Sequence, residues 1–254
     1  MQNISEKMGI LSNCRSEKTM KQFIKDSLPY QWKLQYRLLQ RFFHEQKSNH
    51  FYSKIYSEND IGNHQTEFKQ TIRKGDFYEN KIHNLKIASE KINNLIIQPN
   101  EVFSFWKTVG KPSKQNNFKE GRNLIKNNIS QDFGGGICQF SSILYYSTLQ
   151  FGLEILERHP HSVDIYKEDE RFTPLGSDST VVFGYKDLQI KNNFPFPVQF
   201  KCRVHENQLC FTIISQNEIK LNTINFKYHE IENGVWVETL INDRSLFKNF
   251  YIRL

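Results

Sequence analysis

Apolar residues recur every three or four positions in three parts of the chain, and this spacing predicts three helices. The first covers residues 30–46 and carries its apolar residues on one side: Trp32, Tyr36, Leu39 and Phe43. The second covers about 80–97, where Pro99 is expected to stop it, and its inward stripe is Ile82, Leu85, Ala88, Ile92 and Leu95. The third starts at or beside Cys138 and has these apolar or small positions: Phe140, Ile143, Leu144, Ser147, Thr148 and Phe151.

Alternation of apolar and polar residues replaces the helical spacing in the last third of the chain. Residues 198–204 and 209–213 each predict a strand with one buried face, joined by a turn at 205–208. Residues 232–234 (Glu-Asn-Gly) are a hairpin signal between strands at 226–229 and 235–237, and 181–183 predict a further short strand. The expected fold class is therefore α+β, with helices first and a mainly antiparallel sheet later.

Gly75 and Asp76 mark the expected boundary between two parts of the chain. Residues 1–75 are predicted to form a basic, helical N-terminal extension. Residues 76–254 are predicted to form the main domain, whose β-rich part begins at about residue 195. The first predicted helix could lie on a membrane surface or pack against the main domain, because Lys33, Arg37 and Arg41 accompany its aromatic residues.

The composition of the chain disfavours several functions but does not identify one. The 254 residues carry a formal net charge of +7, which favours weak affinity for anionic partners such as a cell-wall precursor or an envelope component. The lysines are dispersed and no nucleic-acid-reading element is evident, so nucleic-acid binding is not expected. The absence of a signal-peptide core and of any apolar run of eighteen residues predicts a cytoplasmic protein without a transmembrane segment. The oligomeric state is left open.

The four cysteines fit a reducing compartment. Cys202 and Cys210 fall on predicted strands, where two buried free thiols are favoured over a cross-strand disulfide. Cys138 differs, because it follows Gly134, Gly135 and Gly136 at the predicted start of a helix. Unpaired N–H groups and the helix dipole favour a thiolate at such a position. The same groups could instead bind an anionic ligand, or the glycines could form a simple tight turn around a buried thiol.

Two later segments supply the partners that a reactive thiol requires. His159 and His161 precede a run that contains Asp178, so that cysteine, histidine and aspartate occur in the order of a nucleophile, its proton acceptor and an orienting carboxylate. We expect Cys138 to be the nucleophile, His161 the base and Asp178 the orienter, although His159 competes with His161 for the base position.

The remaining candidate residues are assigned to substrate binding. Gln139 or the backbone N–H groups of 136–138 would hold an oxyanion, and the whole glycine loop (Gly134, Gly135, Gly136) and His159 would line the site. Arg158 could hold a substrate carboxylate or form an ion pair with Glu154 or Glu157. Zinc is a weaker alternative, because the spacing of Cys138, His159, His161 and Asp178 matches no structural zinc pattern, and we expect no metal or cofactor.

Several ordered blocks of the chain resemble the VanW family, which is named for an accessory protein found with B-type vancomycin resistance determinants. The blocks are residues 99–106, 109–112, 119–121, 134–142, 157–162, 176–180 and 187–192. The resemblance implies a context of cell-envelope biology and glycopeptide resistance rather than a defined reaction. The order of Cys138, helix and His161 also resembles, in pattern only, the transglutaminase and papain-like thiol enzymes. Two functions follow as hypotheses: a thiol hydrolase or acyltransferase acting on a peptide or amide bond, and a non-catalytic accessory protein that binds an anionic precursor or an envelope enzyme.

Overall fold

The structure, a computed structural model, describes residues 28–125, 128–164, 171 and 173–253, with the side chains of 122–131 left out. It divides into two units, Met1–Asn49 and His50–Leu254. The described part of the first unit is helix α1 (Tyr30–Ser48), which confirms the first predicted helix and ends at Asn49 in the left-handed conformation. Cys14 and the first part of the predicted N-terminal extension lie outside the described residues.

Helix α2 (Tyr78–Ile92) is shorter than predicted, because residues 95–97 form a strand rather than its last turn. Asn93 leaves the helical conformation and Asn94 has a φ of 67°, so two asparagines end the helix well before Pro99. Their side chains replace the lost helical bonds: Asn93 accepts a bond from the Cys202 backbone, and Asn94 donates to Glu58. The apolar spacing did not reveal this end, since Leu95 is buried in either conformation.

A five-stranded antiparallel sheet forms one wall of the core. Its order is β1 (Ile55–Tyr56), β3 (Leu95–Ile97), β10 (Val198–His205), β11 (Gln208–Ser215) and β2 (His64–Thr71). The predicted hairpin of β10 and β11 is confirmed, and Cys202 and Cys210 are buried free thiols on it. This sheet combines strands that precede the Cys138 helix with strands that follow it, so helices and strands are less segregated along the chain than expected.

Helix α4 (Ile137–Phe151) is the central helix of the core and begins directly after the three glycines. Its predicted inward positions are all buried, and Gly152, with a φ of 95°, ends it. It follows the hairpin of β5 (Glu120–Ile125) and β6 (Asn128–Phe133). Helix α3 (Phe105–Val109) and a short 3-10 turn (Lys114–Asn116) lie earlier in the chain.

Two smaller sheets complete the fold. Strands β4 (Val102–Ser104), β9 (Gln189–Lys191) and β7 (Glu154–Glu157) form an antiparallel sheet. Strands β12 (Ile224–Ile231), β13 (Gly234–Ile241) and β14 (Arg244–Arg253) form the predicted C-terminal antiparallel sheet, and β8 (Val163–Asp164) joins β14 in parallel. The predicted strand at 181–183 is wrong: Val182 makes a single bridge to Lys186 around a turn that contains Gly184, whose φ is 79°.

The architecture is thus α+β with mostly antiparallel sheets, as predicted. Among the described residues, no helix combines the length and the apolar character needed to cross a membrane.

A cysteine, a histidine and an aspartate at the start of helix α4

The glycine loop places Cys138 in the first turn of α4. Gly134 and Gly136 have φ values of 85° and 92°, which other residues rarely adopt. Asn84 on α2 donates to the carbonyl of Gly135 at 3.0 Å and to that of Lys119 at 2.9 Å, and so holds the loop against β5. The helix start is therefore fixed from two sides.

The Cys138 thiol is half-buried and points toward the segment that contains Asp178. Its sulfur lies 3.5 Å from the hydroxyl of Thr180 and 3.9 Å from the carbonyl of Val181. The neighbouring N–H groups of Ile137 and Gln139 donate to Gly134 and Gly136. In the described part of the chain the Cys138 N–H has no acceptor, as is usual in the first turn of a helix.

Two serines on α4 fix the segment that faces the thiol. Ser141 donates through its hydroxyl to the carbonyl of Ser179 at 2.6 Å, and the Ser179 N–H donates to the hydroxyl of Ser142 at 3.0 Å. All three serines are fully buried. The helical spacing of the sequence does not predict that Ser141 and Ser142 bond this segment, because serines inside an apolar helix are usually interpreted as small packing residues.

His161 connects Cys138 to Asp178. Its Nδ1 lies 2.6 Å from Oδ2 of Asp178, and its backbone N–H donates to the same oxygen at 2.7 Å. The imidazole also interacts electrostatically with the Cys138 thiol, since each group shifts the pKa of the other. The histidine is therefore coupled to both the thiol and the carboxylate.

The charges of this group reinforce one another. Burial favours the neutral thiol, but the hydrogen bond and positive charge of His161 outweigh burial, so the pKa of Cys138 is lowered. Burial likewise favours neutral imidazole, but Asp178 and the Cys138 thiolate raise the pKa of His161 well above its ordinary value. The pKa of Asp178 is also held below its usual range by His161 and Arg158 despite burial, so the three groups favour a carboxylate, an imidazolium and a thiolate in one another's presence.

Arg158 lies behind Asp178, with its side chain only 3% exposed. Its guanidinium is 3.1 Å from Oδ1 of Asp178, bonds the carbonyls of Asp178 and Gly176 and the side chain of Asn249, and lies over the ring of Tyr145 at 4.8 Å. The expected alternative partners are engaged elsewhere, since Glu154 pairs with Lys191 and Glu157 with His159. Arg158 thus faces the carboxylate rather than a substrate cleft.

The other predicted residues lie around this centre without joining it. His159 bonds Glu157 at 2.9 Å, so His161 rather than His159 reaches the thiol. The amide nitrogen of Gln139 donates to the Thr71 carbonyl on β2 at 2.9 Å. Within the described residues, no three His, Cys, Asp or Glu side chains cluster as metal ligands.

The fold and the site define an α+β protein that presents a cysteine, on a glycine-capped helix, to a half-buried histidine–aspartate pair. Residues 80–214, just over half of the chain, match the family of VanW-like proteins, and the chain belongs to that family. This confirms the resemblance seen in the sequence blocks. The matched segment contains Cys138, His161 and Asp178, and it ends before the C-terminal sheet.

Two curated relatives support the same assignment. The chain is 34% identical over 131 residues to the vancomycin B-type resistance protein VanW of Enterococcus faecalis, covering 52% of this chain and 46% of the relative. It is 29% identical over 141 residues to the uncharacterized protein YoaR of Bacillus subtilis, covering 56% of this chain and 45% of the relative. The chain therefore spans about half the length of these relatives. No solved structure matches it.

Proposed function

We propose that this protein is a thiol-dependent hydrolase or acyltransferase that acts on a peptide or amide bond in the cell envelope. One observation carries the proposal: the ring of His161 bonds Asp178 through Nδ1, and the same histidine lowers the pKa of the nearby Cys138 thiol. Nucleophilic cysteines are activated by such a base, oriented in turn by a third group. The order of these residues in the chain, which resembles that of transglutaminase and papain-like enzymes, supports the proposal as an analogy of pattern.

The chemistry follows from the charges of the site. The Cys138 thiolate attacks the substrate carbonyl, and the new oxyanion is held by the unpaired Cys138 N–H. The His161 imidazolium gives its proton to the leaving amine, so the C–N bond breaks and a thioester remains. Water or an acceptor amine then loses a proton to His161 and attacks the thioester, which regenerates the thiolate. Asp178 stays ionised throughout and keeps the imidazole in its orientation.

The substrate class is drawn from the relatives and from charge. One relative is described as a vancomycin B-type resistance protein, which places the family in the context of glycopeptide resistance. The chain itself has a net charge of +7, which favours an anionic substrate such as a cell-wall precursor. An amide bond within such a precursor fits both observations.

A second candidate function is anion binding without catalysis, and Lys81 favours it. The stem of Lys81 lies across Gly136, where a built Cβ would meet its Cγ at 2.5 Å. Burial lowers the pKa of Lys81 to about 8, and no acid in the described part of the chain compensates its charge. A cation of this kind beside a helix start suits a carboxylate or phosphate ligand, so the protein could bind an anionic precursor as an accessory factor.

The pH dependence of Cys138 alkylation separates the two functions. A free thiol titrates near about 8.5, whereas activated thiols titrate at roughly 3.5–7.5. With native protein and site-resolved mass spectrometry, we expect Cys138 to react with a midpoint below that of a free thiol and His161→Ala to raise that midpoint. Cys202 is an internal control, because burial raises its pKa well above normal and it should react only after unfolding.

A second readout tests acyl transfer itself. Incubation with p-nitrophenyl acetate should form an acetyl thioester on Cys138 that is absent in Cys138→Ser and slow in His161→Ala. If Cys138 instead reacts only in denaturant, the enzyme proposal is wrong and anion binding remains.

A further inference from the structure

Tyr251 contacts the proposed catalytic group from outside the segment that matches the family. It lies on β14, fully buried, while the match ends at residue 214. Its hydroxyl donates to Oδ1 of Asp178 at 2.6 Å, which is the oxygen that does not face His161.

The bonds around Asp178 divide cleanly between its two oxygens. Within the part of the chain that the structure describes, Oδ2 accepts from His161, through the ring and the backbone N–H. Oδ1 accepts from Arg158 at 3.1 Å and from Tyr251 at 2.6 Å, and Arg158 also donates to the Tyr251 hydroxyl at 3.2 Å. Burial raises the pKa of Tyr251, so the phenol remains a donor throughout the working pH range. On this side the carboxylate is thus held by one cation and one neutral donor.

We propose that Tyr251 is a positioning residue for the thiol site, which holds the Asp178 carboxylate so that Oδ2 remains aligned with His161. The inference rests on the proposed function, since it assigns a part in activating Cys138. It also means that the C-terminal sheet of β12, β13 and β14 completes the site of the family segment.

A merely structural function for the hydroxyl is the competing explanation. Strand β14 is already held by its backbone pairing with β13 along nearly its whole length, so the phenol oxygen is not needed to place the strand. Phenylalanine occupies nearly the same volume, and it leaves a buried charged oxygen with one donor fewer. The carboxylate is then free to turn toward Arg158, its remaining partner on that side.

The test compares Tyr251→Phe with Tyr228→Phe. Tyr228 lies on β12 of the same sheet, and its hydroxyl donates to the Leu175 carbonyl at 3.3 Å rather than to Asp178. Tyr251→Phe removes the hydroxyl bonds to Asp178 and Arg158, whereas Tyr228→Phe removes a bond to a backbone carbonyl outside the thiol site. The readout is the pH profile of Cys138 alkylation in full-length protein, with thermal unfolding to verify that both variants are folded.

We expect Tyr251→Phe to raise the alkylation midpoint by about 0.5–1 pH unit, which slows the reaction roughly three- to tenfold below the midpoint, and Tyr228→Phe to leave it unchanged. An unchanged midpoint in Tyr251→Phe overturns the inference. A lowered midpoint also overturns it, because the phenol would then act by withdrawing charge from Asp178 rather than by positioning it. A wild-type midpoint near 8.5 would instead contradict the proposed function itself.

Discussion

Asp178→Asn is the most informative single substitution in this protein. The carboxylate accepts four hydrogen bonds, at 2.6 and 2.7 Å from His161, 3.1 Å from Arg158 and 2.6 Å from Tyr251. An asparagine keeps one acceptor oxygen but has an NH2 group in place of the other. That NH2 group, itself a donor, would face the donors of His161 or those of Arg158 and Tyr251. The charge of Arg158, only 3% exposed, also loses its carboxylate.

Removing one partner of a buried ion pair costs about 3–5 kcal/mol. We therefore expect Asp178→Asn to lower the free energy of unfolding, measured with urea at pH 7, by about that amount. The pKa of Asp178 is lowered in the folded state, so its contribution is present above pH 4 and is lost as the pH falls below that value. The difference between wild type and variant should therefore shrink in acid.

The same substitution should inactivate the thiol. Without the carboxylate, His161 loses the main support of its raised pKa and is neutral at pH 7, so the alkylation midpoint of Cys138 should return toward about 8.5. Asp60→Asn is the control, because Asp60 pairs with Lys201 at the surface, where such pairs contribute at most about 1 kcal/mol. If Asp178→Asn costs less than 1 kcal/mol and leaves the alkylation profile intact, the network does not hold the site as described.

Two further substitutions test the glycine loop and its cation. The fall in the pKa of Lys81 from 10.5 to about 8 corresponds to a cost of up to about 3 kcal/mol, which is present below pH 8 and fades as the pH rises toward 10.5. Lys81→Met should therefore raise the free energy of unfolding at pH 7, measured with urea. The control Lys86→Met, at an exposed position, should leave it unchanged. If Lys81→Met gives no gain at pH 7, burial of the Lys81 charge does not cost stability as described. Gly136→Ala should destabilise the protein by about 1–3 kcal/mol, because Gly136 has a φ of 92° and the Lys81 stem occupies the space of a Cβ. The control Gly75→Ala should have little effect, because the space around Gly75 is open. Equal effects in the two variants would show that the loop tolerates a side chain.

The sequence predicted the elements that depend on periodicity and turn chemistry. Helix α4 with its glycine start and the hairpins at β10–β11 and β12–β13 are of this kind, because each is specified by neighbours a few positions apart. Residues 95–97 were assigned to the wrong element because both a helix and a strand bury Leu95, and the positive φ of Asn94 decided between them.

Contacts between distant segments were beyond such patterns. The sequence supplied Cys138 and Asp178 but could not decide between His159 and His161, which differ only in the direction of their side chains across Pro160. Arg158 was expected near a substrate, yet it lies behind Asp178, and that position depends on a strand more than 90 residues away in the chain. The sequence patterns predicted no function for Tyr251, because its hydroxyl meets Asp178 only once distant segments have packed together.

The arrangement of charges separates the chemistry of the site from the recognition of a charged substrate. Arg158, Asp178, His161 and the proposed Cys138 thiolate alternate in sign, so in that state the four groups have no net charge and each is stabilised by its neighbours. Such a group has no excess cation with which to attract an anionic substrate. Lys81 has that excess, because its charge is uncompensated among the described residues and its stem crosses the loop that precedes the thiol. A function in anion binding therefore explains why the protein keeps Lys81 despite the stability that its burial costs. Lys81→Met should weaken anion binding while leaving the thiolate–imidazolium pair in place.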